Sequence, residues 1–413
     1  MTRATVVNAE DGARDRFRSL ADLIAQPLDL QRRLGYAHTA QEIHHQPETW
    51  IDTARRVESR EAALADQLGR AGVTRSGPGS VVLTGSGSSL FVGECLAIPI
   101  QRALEVPVSA VPSGALLTHL DGHLPPARDG LLVSFARSGN SPESSAAIEE
   151  VLRARPAWHH LIITCNGAGR LARYGSRDRV QALVLDDRTC DRSLVMTSSF
   201  TNMTVAGAAL AWLGAGAAYR AGIERLAALA DHILRASDQL ANVATKGFRS
   251  AIFLGSGARF GAARESALKM LEMTDGRVHT SAETYLGLRH GPMCAVHEDT
   301  LVVCFLSSDD VARAYELDLI RELNRKQLGR RLLVGDDIPD DIVRTLDIAI
   351  DCPGLHAIGD DLAAVTDVVI GQLLALFRSL AFGLKPDAPS SDNVISRVVE
   401  DFTIHARYAQ GAG

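Results

Sequence analysis

A strand–turn–helix pattern occurs twice in this chain, and its repetition constrains the fold more than any other feature of the sequence. The segment SVVLTGSGSS at 80–89 is an apolar run that ends in Gly-Ser-Gly, and a helical pattern follows it. The segment AIFLGSGARF at 251–260 repeats this arrangement, with Gly255 following Gly85 by 170 residues. Strand and helix patterns continue to alternate after each copy. The sequence therefore predicts a duplicated α/β protein whose parallel sheets are covered by helices on both faces.

Each copy continues with further apolar runs of strand length. They are LLVSFA, LIITCN and ALVLDD in the first copy, and LVVCFL, RRLLVGDD and IAIDCP in the second. Residues 1 to about 30 are expected to form a frayed or partner-docked helix, and Pro47 is placed to begin a later one. The predicted parts are a helical extension 1–60, a first domain 61–213, a connecting helix 214–245, a second domain 246–385 and a tail 386–413.

Charge and cysteine content narrow the function classes. The net charge of -6 leaves no basic surface for nucleic acid or for an anionic membrane. The six cysteines are scattered without a CxxC pair, which is typical of reduced thiols in the cytoplasm. The sequence shows neither a secretory signal nor an apolar run long enough to cross a bilayer. We therefore expect a cytoplasmic protein that holds any anionic ligand in a local site.

Two serine-rich turns of the first copy have the composition of a phosphate site. Ser86 and Ser88 lie in the first turn, and Ser138 and Ser141 lie in the turn SGNS after the next strand. The helices that follow these turns present free backbone N–H groups to an anion. The second copy has SSDD in place of RSGN, and its two aspartates would repel a phosphate. The first copy is therefore predicted to bind a phosphomonoester.

The helix after the second Gly-Ser-Gly turn carries groups that can move protons. Glu265, Lys269 and Glu272 are spaced i, i+4 and i+7, which places them on one helix face. A lysine between two carboxylates keeps at least one of them ionised, as a general base requires. His290 follows in the turn RHGP, although spacing alone does not choose it over two other histidines nearby. The alternative is a salt-bridged helix on a solvated face, followed by a surface histidine.

These motifs predict no cofactor and no metal. GSGARFG has the outline of a dinucleotide-binding turn, but its third glycine is one position late and no acidic residue ends a clear second strand. Neither Gly-Ser-Gly turn is followed by the Gly-Lys-Ser/Thr of a Walker loop. His119 and His123 lack the glutamate of an HExxH zinc site.

An ordered set of motifs gives the chain a family resemblance. The set is EIHHQPETW, TGSGSS, SFARSGNS, DRSLVMTSSFT, ESALKMLE and SAETYLGLRHGP. It resembles the sugar isomerase (SIS) domain family, in particular the galactosamine-6-phosphate deaminase/isomerase type, also called tagatose-6-phosphate ketose/aldose isomerase. The isomerase half of glutamine:fructose-6-phosphate aminotransferase is a further relative. The resemblance implies two tandem, doubly wound, flavodoxin-like SIS domains.

The resemblance also implies roles for individual residues. Glu272 would shuttle a proton between C1 and C2 of an open-chain sugar with Lys269 beside it. His290 would open the ring from the partner subunit of a homodimer. The residues implied for the substrate and its phosphate are Ser86, Ser88, Arg137, Ser138, Ser141, Ser198 and Arg397. Arg397 stands where aminotransferase relatives have an imine-forming lysine, and a guanidinium cannot take that role.

The expected function is conversion of galactosamine 6-phosphate to tagatose 6-phosphate and ammonia, without a cofactor. One alternative is an SIS protein that senses a phosphosugar without chemistry, although such a protein needs no proton shuttle. The other is an aldose/ketose isomerase for a sugar phosphate without an amine. The sequence does not choose between the galacto and gluco configurations of the substrate.

Overall fold

The computed structural model describes residues 18–390, 392, 394–398 and 403–405. The helix expected at the start of the chain therefore falls outside the described residues up to residue 17. From there the chain forms five helices before the first strand. They are α1 (Leu20–Ala25), α2 (Leu28–Leu34), α3 (Ala37–His44), α4 (Gln46–Glu58) and α5 (Glu61–Arg70). Pro47 lies in the first turn of α4, as predicted, because its fixed φ suits that turn and the missing N–H costs nothing there.

The first repeat follows as an alternation of strands and helices. The strands are β1 (Ser80–Gly85), β2 (Val108–Pro112), β3 (Gly130–Ala136), β4 (His159–Thr164) and β5 (Val180–Val184). The helices are α6 (Ser88–Leu104), α7 (Ser113–Thr118), α8 (Leu120–His123), α9 (Pro142–Ala154) and α10 (Ser198–Ala208).

The second repeat has the same alternation. Its strands are β6 (Ser250–Leu254), β7 (His279–Glu283), β8 (Thr300–Phe305), β9 (Arg330–Gly335) and β10 (Ile348–Asp351). Its helices are α13 (Ala258–Met273), α14 (Tyr285–Leu288), α15 (Asp310–Arg325), α16 (Leu355–Ile358) and α17 (Asp360–Ala381).

Both sheets are parallel and five-stranded, and they have the same strand order. The first runs β2-β1-β3-β4-β5 and the second runs β7-β6-β8-β9-β10. Val82 pairs with Leu132, and the residues 170 positions later, Ile252 and Val302, pair in the same way. This order is that of a flavodoxin-like fold, whose ligands lie beyond the carboxyl ends of the strands. The predicted α/β fold with tandem doubly wound sheets is confirmed.

Hydrophobic strands form the core of each sheet. Val82, Leu132 and Ile162 pack with Trp158 in the first, where every residue of β3 is buried. Ile252, Val302 and Leu333 pack together in the second. Strands that are buried on both faces are typical of parallel sheets covered by helices.

The segment between the repeats differs from the prediction of one connecting helix. It forms two helices, α11 (Gly216–Arg235) and α12 (Ser237–Thr245). Ala236 has φ -88° and ψ 17°, which interrupts the helical path. The buried hydroxyl of Ser237 then accepts a hydrogen bond of 2.9 Å from the backbone N–H of Leu20.

Among the described residues one helix, α17, is long and apolar enough to cross a membrane. It is buried throughout its apolar window, and the core helix of a soluble protein meets the same criteria of length and composition.

The described chain forms two compact units that interleave along the sequence. The unit with the second sheet contains the chain up to Pro47, with Asp191–Thr197 and Arg225–Ile395. The unit with the first sheet contains Glu48–Cys190, Ser198–Glu224 and the described residues from Ser396 on. The domain boundaries given above remain predictions.

Candidate active site

Two turns at the carboxyl edge of the first sheet expose the N-termini of helices. Gly87 precedes α6 with φ 56° and ψ -128°, a conformation that glycine adopts readily because it has no Cβ. Ser141 is the N-cap of α9, and its side chain makes no capping hydrogen bond. The side chain that would usually satisfy N–H groups of this first turn is therefore not used for that purpose.

The turn that contains Ser138 is held by its neighbours. The Asn166 side-chain amide donates to the carbonyl oxygen of Ser138 at 2.9 Å, and the Asn140 side chain accepts from the N–H of Arg170 at 2.9 Å. Gly139 has φ 63°, which lets the chain turn sharply. The turn is thus ordered by the protein alone, as a preformed anion site requires.

A carboxylate joins the first turn. The hydroxyl of Ser86 donates to Oε1 of Glu143 at 2.8 Å, and the hydroxyl of Ser113 donates to the same oxygen at 3.1 Å. The two serine oxygens are 2.5 Å apart. The sequence alone indicated neither Ser113 nor Glu143 as part of this turn, because the pairing of β1 with β2 and β3 that brings them together leaves no local pattern.

The other residues of this unit that the family resemblance implies for substrate binding lie in two different environments. Arg137 is nearly buried and donates from Nη2 to the carbonyl oxygen of Arg397 at 2.6 Å. Nη2 of Arg397 lies 3.6 Å from Sγ of Cys190. Ser198, in contrast, is fully buried, and its Oγ accepts from the side-chain amide of Asn202 at 3.1 Å. Arg137 and Arg397 are thus brought together, while Ser198 is buried and hydrogen-bonded to Asn202.

In the unit with the second sheet, helix α13 brings Glu265, Lys269 and Glu272 together as the spacing predicts. Nζ of Lys269 lies 3.4 Å from Oε1 of Glu265 and 2.5 Å from Oε2 of Glu272. The side chains of Lys269 and Glu265 are fully buried, whereas that of Glu272 is 23% exposed. The alternative of a salt-bridged helix on a solvated face is therefore wrong. A buried ammonium holds one carboxylate that remains accessible to a ligand.

His290 lies on an exposed turn after the short helix α14. Its backbone N–H donates to the carbonyl oxygen of Gly287 at 2.9 Å, and Gly291 has φ 131°. Arg289 anchors the turn by ion pairs of 2.7 Å to Asp318 and to Glu322. His279 and His297 are also exposed, so exposure does not separate His290 from them.

The equivalent turns of the second repeat are filled by the protein's own carboxylates. Glu316 accepts from the hydroxyl of Ser256 at 2.6 Å and from the N–H of Ser307 at 2.7 Å. Asp360 accepts from the N–H of Ser308 at 2.8 Å. Burial raises the pKa of Glu316, although these hydrogen bonds lower it.

The N-terminus of α15 is also closed. Oδ1 of Asp309 accepts from the N–H of Ala312 at 2.9 Å, so this helix has the side-chain cap that α9 lacks. Asp309 is one of the two aspartates predicted to exclude a phosphate. The two repeats therefore share a backbone but differ in the anion-binding groups that they leave open.

A separate cavity of about 350 Å³ lies beside the edge strand β5, where Leu64, Gly175 and Leu183 line it. None of the implied site residues lines it. Within the ranges that the structure describes, no group of three His, Cys, Asp or Glu side chains is placed to hold a metal ion.

Comparisons with known proteins agree with the motifs. No model of a known protein family matches the chain. It is 40% identical over 377 residues to a candidate D-galactosamine-6-phosphate deaminase of Streptomyces coelicolor, covering 89% of this chain and 95% of that protein. It is 36% identical over 370 residues to the D-galactosamine-6-phosphate deaminase of Escherichia coli, with the same coverage.

The structure is also similar to the crystal structure of tagatose-6-phosphate ketose/aldose isomerase from Escherichia coli. The TM-score is 0.80 at 34% identity, over 90% of this chain and 97% of that one. A more distant similarity, 27% identity, links the chain to glutamine–fructose-6-phosphate aminotransferase of Neisseria meningitidis. The family resemblance predicted from the motifs is confirmed.

Proposed function

Because the chain belongs to the galactosamine-6-phosphate deaminase family of sugar isomerase proteins, we propose that it converts galactosamine 6-phosphate and water to tagatose 6-phosphate and ammonia. The chemistry is an aldose/ketose isomerisation in which C2 carries an amine. No aminotransfer is proposed, since Arg397 cannot form an imine with a carbonyl.

This proposal rests on a difference between equivalent turns of the two repeats: the protein's own carboxylates occupy the N–H donors in one repeat, and the helix lacks a side-chain cap in the other. In the second repeat, Glu316 and Asp360 already accept from the backbone N–H groups of Ser307 and Ser308. In the first repeat, α9 lacks a side-chain cap, so its N-terminus can receive a phosphate dianion. The turns with Ser86 and Ser88 and with Ser138 and Ser141 would form the 6-phosphate site, with Arg137 beside them.

Glu272 is the proposed proton shuttle. In the open-chain aldose it takes the proton from C2, the electron pair moves toward the C1 carbonyl oxygen, and this oxygen takes a proton from water, which gives an enolamine with a hydroxyl on C1. Return of the Glu272 proton to C1 gives an iminium at C2, which loses a proton to the hydroxide and becomes a ketimine. Water adds to this carbon and ammonia leaves, which completes the ketose. Nζ of Lys269, 2.5 Å from Oε2 of Glu272, holds this carboxylate in position.

His290 is the proposed ring-opening residue. A ring must open before C2 can lose its proton, and an imidazole can exchange protons with the ring oxygen and the C1 hydroxyl near neutral pH. In related enzymes this histidine comes from the partner subunit. We propose the same here, which makes the enzyme a homodimer with shared sites. We also propose that it is cytoplasmic.

The proposal is tested by assaying galactosamine 6-phosphate and glucosamine 6-phosphate side by side for ammonia and for ketose 6-phosphate. We expect equal amounts of both products from galactosamine 6-phosphate and a much slower reaction of the gluco epimer. Binding of either sugar phosphate without ammonia release would contradict the proposal. It would favour a phosphosugar sensor or an isomerase for a sugar phosphate without an amine.

A further inference from the structure

We propose that Glu143 is a positioning residue of the phosphate-binding turns, and that Ser86 and Ser113 act with it rather than on the phosphate. This inference rests on the proposed function, because it assigns the phosphate of the substrate to the first repeat. Its basis is the pair of hydrogen bonds that Oε1 of Glu143 accepts, 2.8 Å from Ser86 and 3.1 Å from Ser113.

The proton count of this cluster decides what Ser86 can do. Each hydroxyl has one proton. The Ser86 oxygen lies 2.5 Å from the Ser113 oxygen and 2.8 Å from Oε1 of Glu143, so its proton is given to one of these two acceptors. A phosphate dianion offers acceptors only. While the cluster is formed, the hydroxyl of Ser86 therefore has no proton for the phosphate. Its role is to fix the turn whose backbone leads into α6.

The position of the cluster explains why it matters for binding. Ser86 follows β1, Ser113 follows β2, and Glu143 lies in the first turn of α9, after β3. These three strands are neighbours in the sheet. One carboxylate oxygen thus joins the three segments beside which the predicted phosphate site lies. Ser113 is buried, whereas Ser86 and Glu143 are partly exposed.

The second repeat offers an internal comparison. There the hydroxyl of Ser256 also donates to a carboxylate of the helix after the third strand, Glu316, at 2.6 Å. Glu316, however, also accepts from the N–H of Ser307, so it occupies the place of an anion as well as fixing the turn. Among the described residues, Glu143 accepts from the two serine hydroxyls and from no backbone N–H. Glu143 therefore joins the turns through hydroxyl groups alone.

The hydrogen bonds of Glu143 and its charge are expected to have opposite effects on phosphate affinity. A carboxylate near a bound phosphate repels it, while the hydrogen bonds to both serines order its site. Glu143→Gln keeps an acceptor oxygen for the serines and removes the charge. Glu143→Ala removes both. Glu143→Ala should therefore weaken phosphate binding, whereas Glu143→Gln should not.

The test measures the Kd of inorganic phosphate by ³¹P NMR titration, together with KM and kcat for galactosamine 6-phosphate. Glu143→Ala is expected to weaken phosphate about tenfold and to raise KM by a similar factor, with kcat within about threefold of wild type. Glu143→Gln is expected to bind phosphate as tightly as wild type or more tightly. Ser113→Ala, which loses one donor, is expected to weaken phosphate about threefold.

Unchanged phosphate affinity in Glu143→Ala would overturn the inference, and so would equal weakening in the Ala and Gln variants. If Glu143→Ala does not fold, the contrast between Ser113→Ala and Glu143→Gln decides in the same way. If the Glu143 variants change phosphate affinity as expected but wild type releases no ammonia, this inference holds and the proposed function is wrong. If wild type releases ammonia but the Glu143 variants do not change phosphate affinity, the proposed function holds and this inference is wrong.

Discussion

Lys269 places its ammonium 2.5 Å from Oε2 of Glu272, within a helix that buries the lysine fully and leaves the glutamate 23% exposed. A second carboxylate, that of Glu265, lies 3.4 Å from the same ammonium and is fully buried. The two carboxylates therefore have different surroundings. One can reach a ligand, and the other compensates a buried charge.

Replacing Glu272 by glutamine is expected to lower kcat by about 10²- to 10⁴-fold, because the amide cannot accept the C2 proton. The Kd of galactosamine 6-phosphate should stay within about threefold of wild type, since the proton shuttle does not hold the phosphate. Isothermal titration measures the Kd and an ammonia assay measures kcat. Retained turnover would contradict the assignment.

Glu265→Gln on the same helix is the matched control. It leaves Lys269 buried with one carboxylate fewer, so it is expected to lower the free energy of unfolding by about 1–3 kcal/mol. Its kcat should fall far less than that of Glu272→Gln. Denaturant unfolding and the same ammonia assay check both expectations.

Ser138→Ala is expected to raise KM about tenfold and to leave kcat within about threefold, because a phosphate contact acts in the ground state and transition state alike. Ser308→Ala, at the equivalent position of the second repeat, is the control. Ser308 donates to Asp360 at 3.0 Å, so this change should affect stability and not KM. Equal changes in KM for the two variants would be inconsistent with a phosphate site in the first repeat alone.

Because of the carboxyl group of Glu42, the free energy of unfolding is expected to fall as pH rises. Burial, and then the charge of Asp191, raise the pKa of Glu42 from 4.5 to about 7. In the unfolded chain the group ionises near its ordinary pKa, while in the folded protein it stays protonated until about pH 7. The contribution of Glu42 to stability is therefore fully present below its pKa in the unfolded chain. It is lost as pH rises through its pKa in the folded protein.

Glu42→Gln removes this dependence. The free energy of unfolding of wild type, relative to the variant, is expected to fall by about 1–3 kcal/mol between pH 4.5 and pH 8. Urea unfolding at several pH values measures the difference. A difference that does not change with pH would show that Glu42 keeps an ordinary pKa.

Gly257→Ala is expected to lower the free energy of unfolding by about 1–3 kcal/mol, since φ 56° with ψ -130° is strained for any residue with a Cβ. The space around this glycine is open, so backbone strain alone should set the cost. Gly354→Ala is the comparison, because its φ 84° and ψ 5° are nearer the left-handed region and its surroundings are also open. We expect a cost of about 1 kcal/mol there. Equal unfolding free energies for the two variants would contradict the argument.

The repeated strand–turn–helix unit was sufficient to predict the fold. Gly87 and Gly257 have φ of 56° in both copies, and ψ differs by only 2°. Local apolar pattern and turn chemistry determine such units, which is why the sequence shows them. The break at Ala236 was not predictable, because the buried hydrogen bond between Leu20 and Ser237 joins residues 217 positions apart.

The candidate site was predictable to a similar extent. Helical spacing brought Glu265, Lys269 and Glu272 together, but it did not show which of them is buried. The contacts of Glu143 with Ser86 and Ser113 depend on sheet register, and those of Glu316 depend on packing around Ser256. Neither leaves a local pattern. The exclusion of an anion from the second repeat was nevertheless indicated by its two aspartates, one of which caps α15.

The central claim is that Glu272 moves the C2 proton of an amino sugar phosphate to C1, with loss of ammonia. The most direct measurement is turnover of galactosamine 6-phosphate in D₂O, with ammonia, ketose 6-phosphate and deuterium at C1 quantified together for wild type and Glu272→Gln. For wild type we predict one ammonia per ketose, with the new hydrogen at C1 coming from C2 of the substrate except where the Glu272 carboxyl exchanges with D₂O. For the variant we predict formation of both products that is slower by at least about 10²-fold. Ammonia without a ketose product, or full turnover by the variant, would contradict the claim.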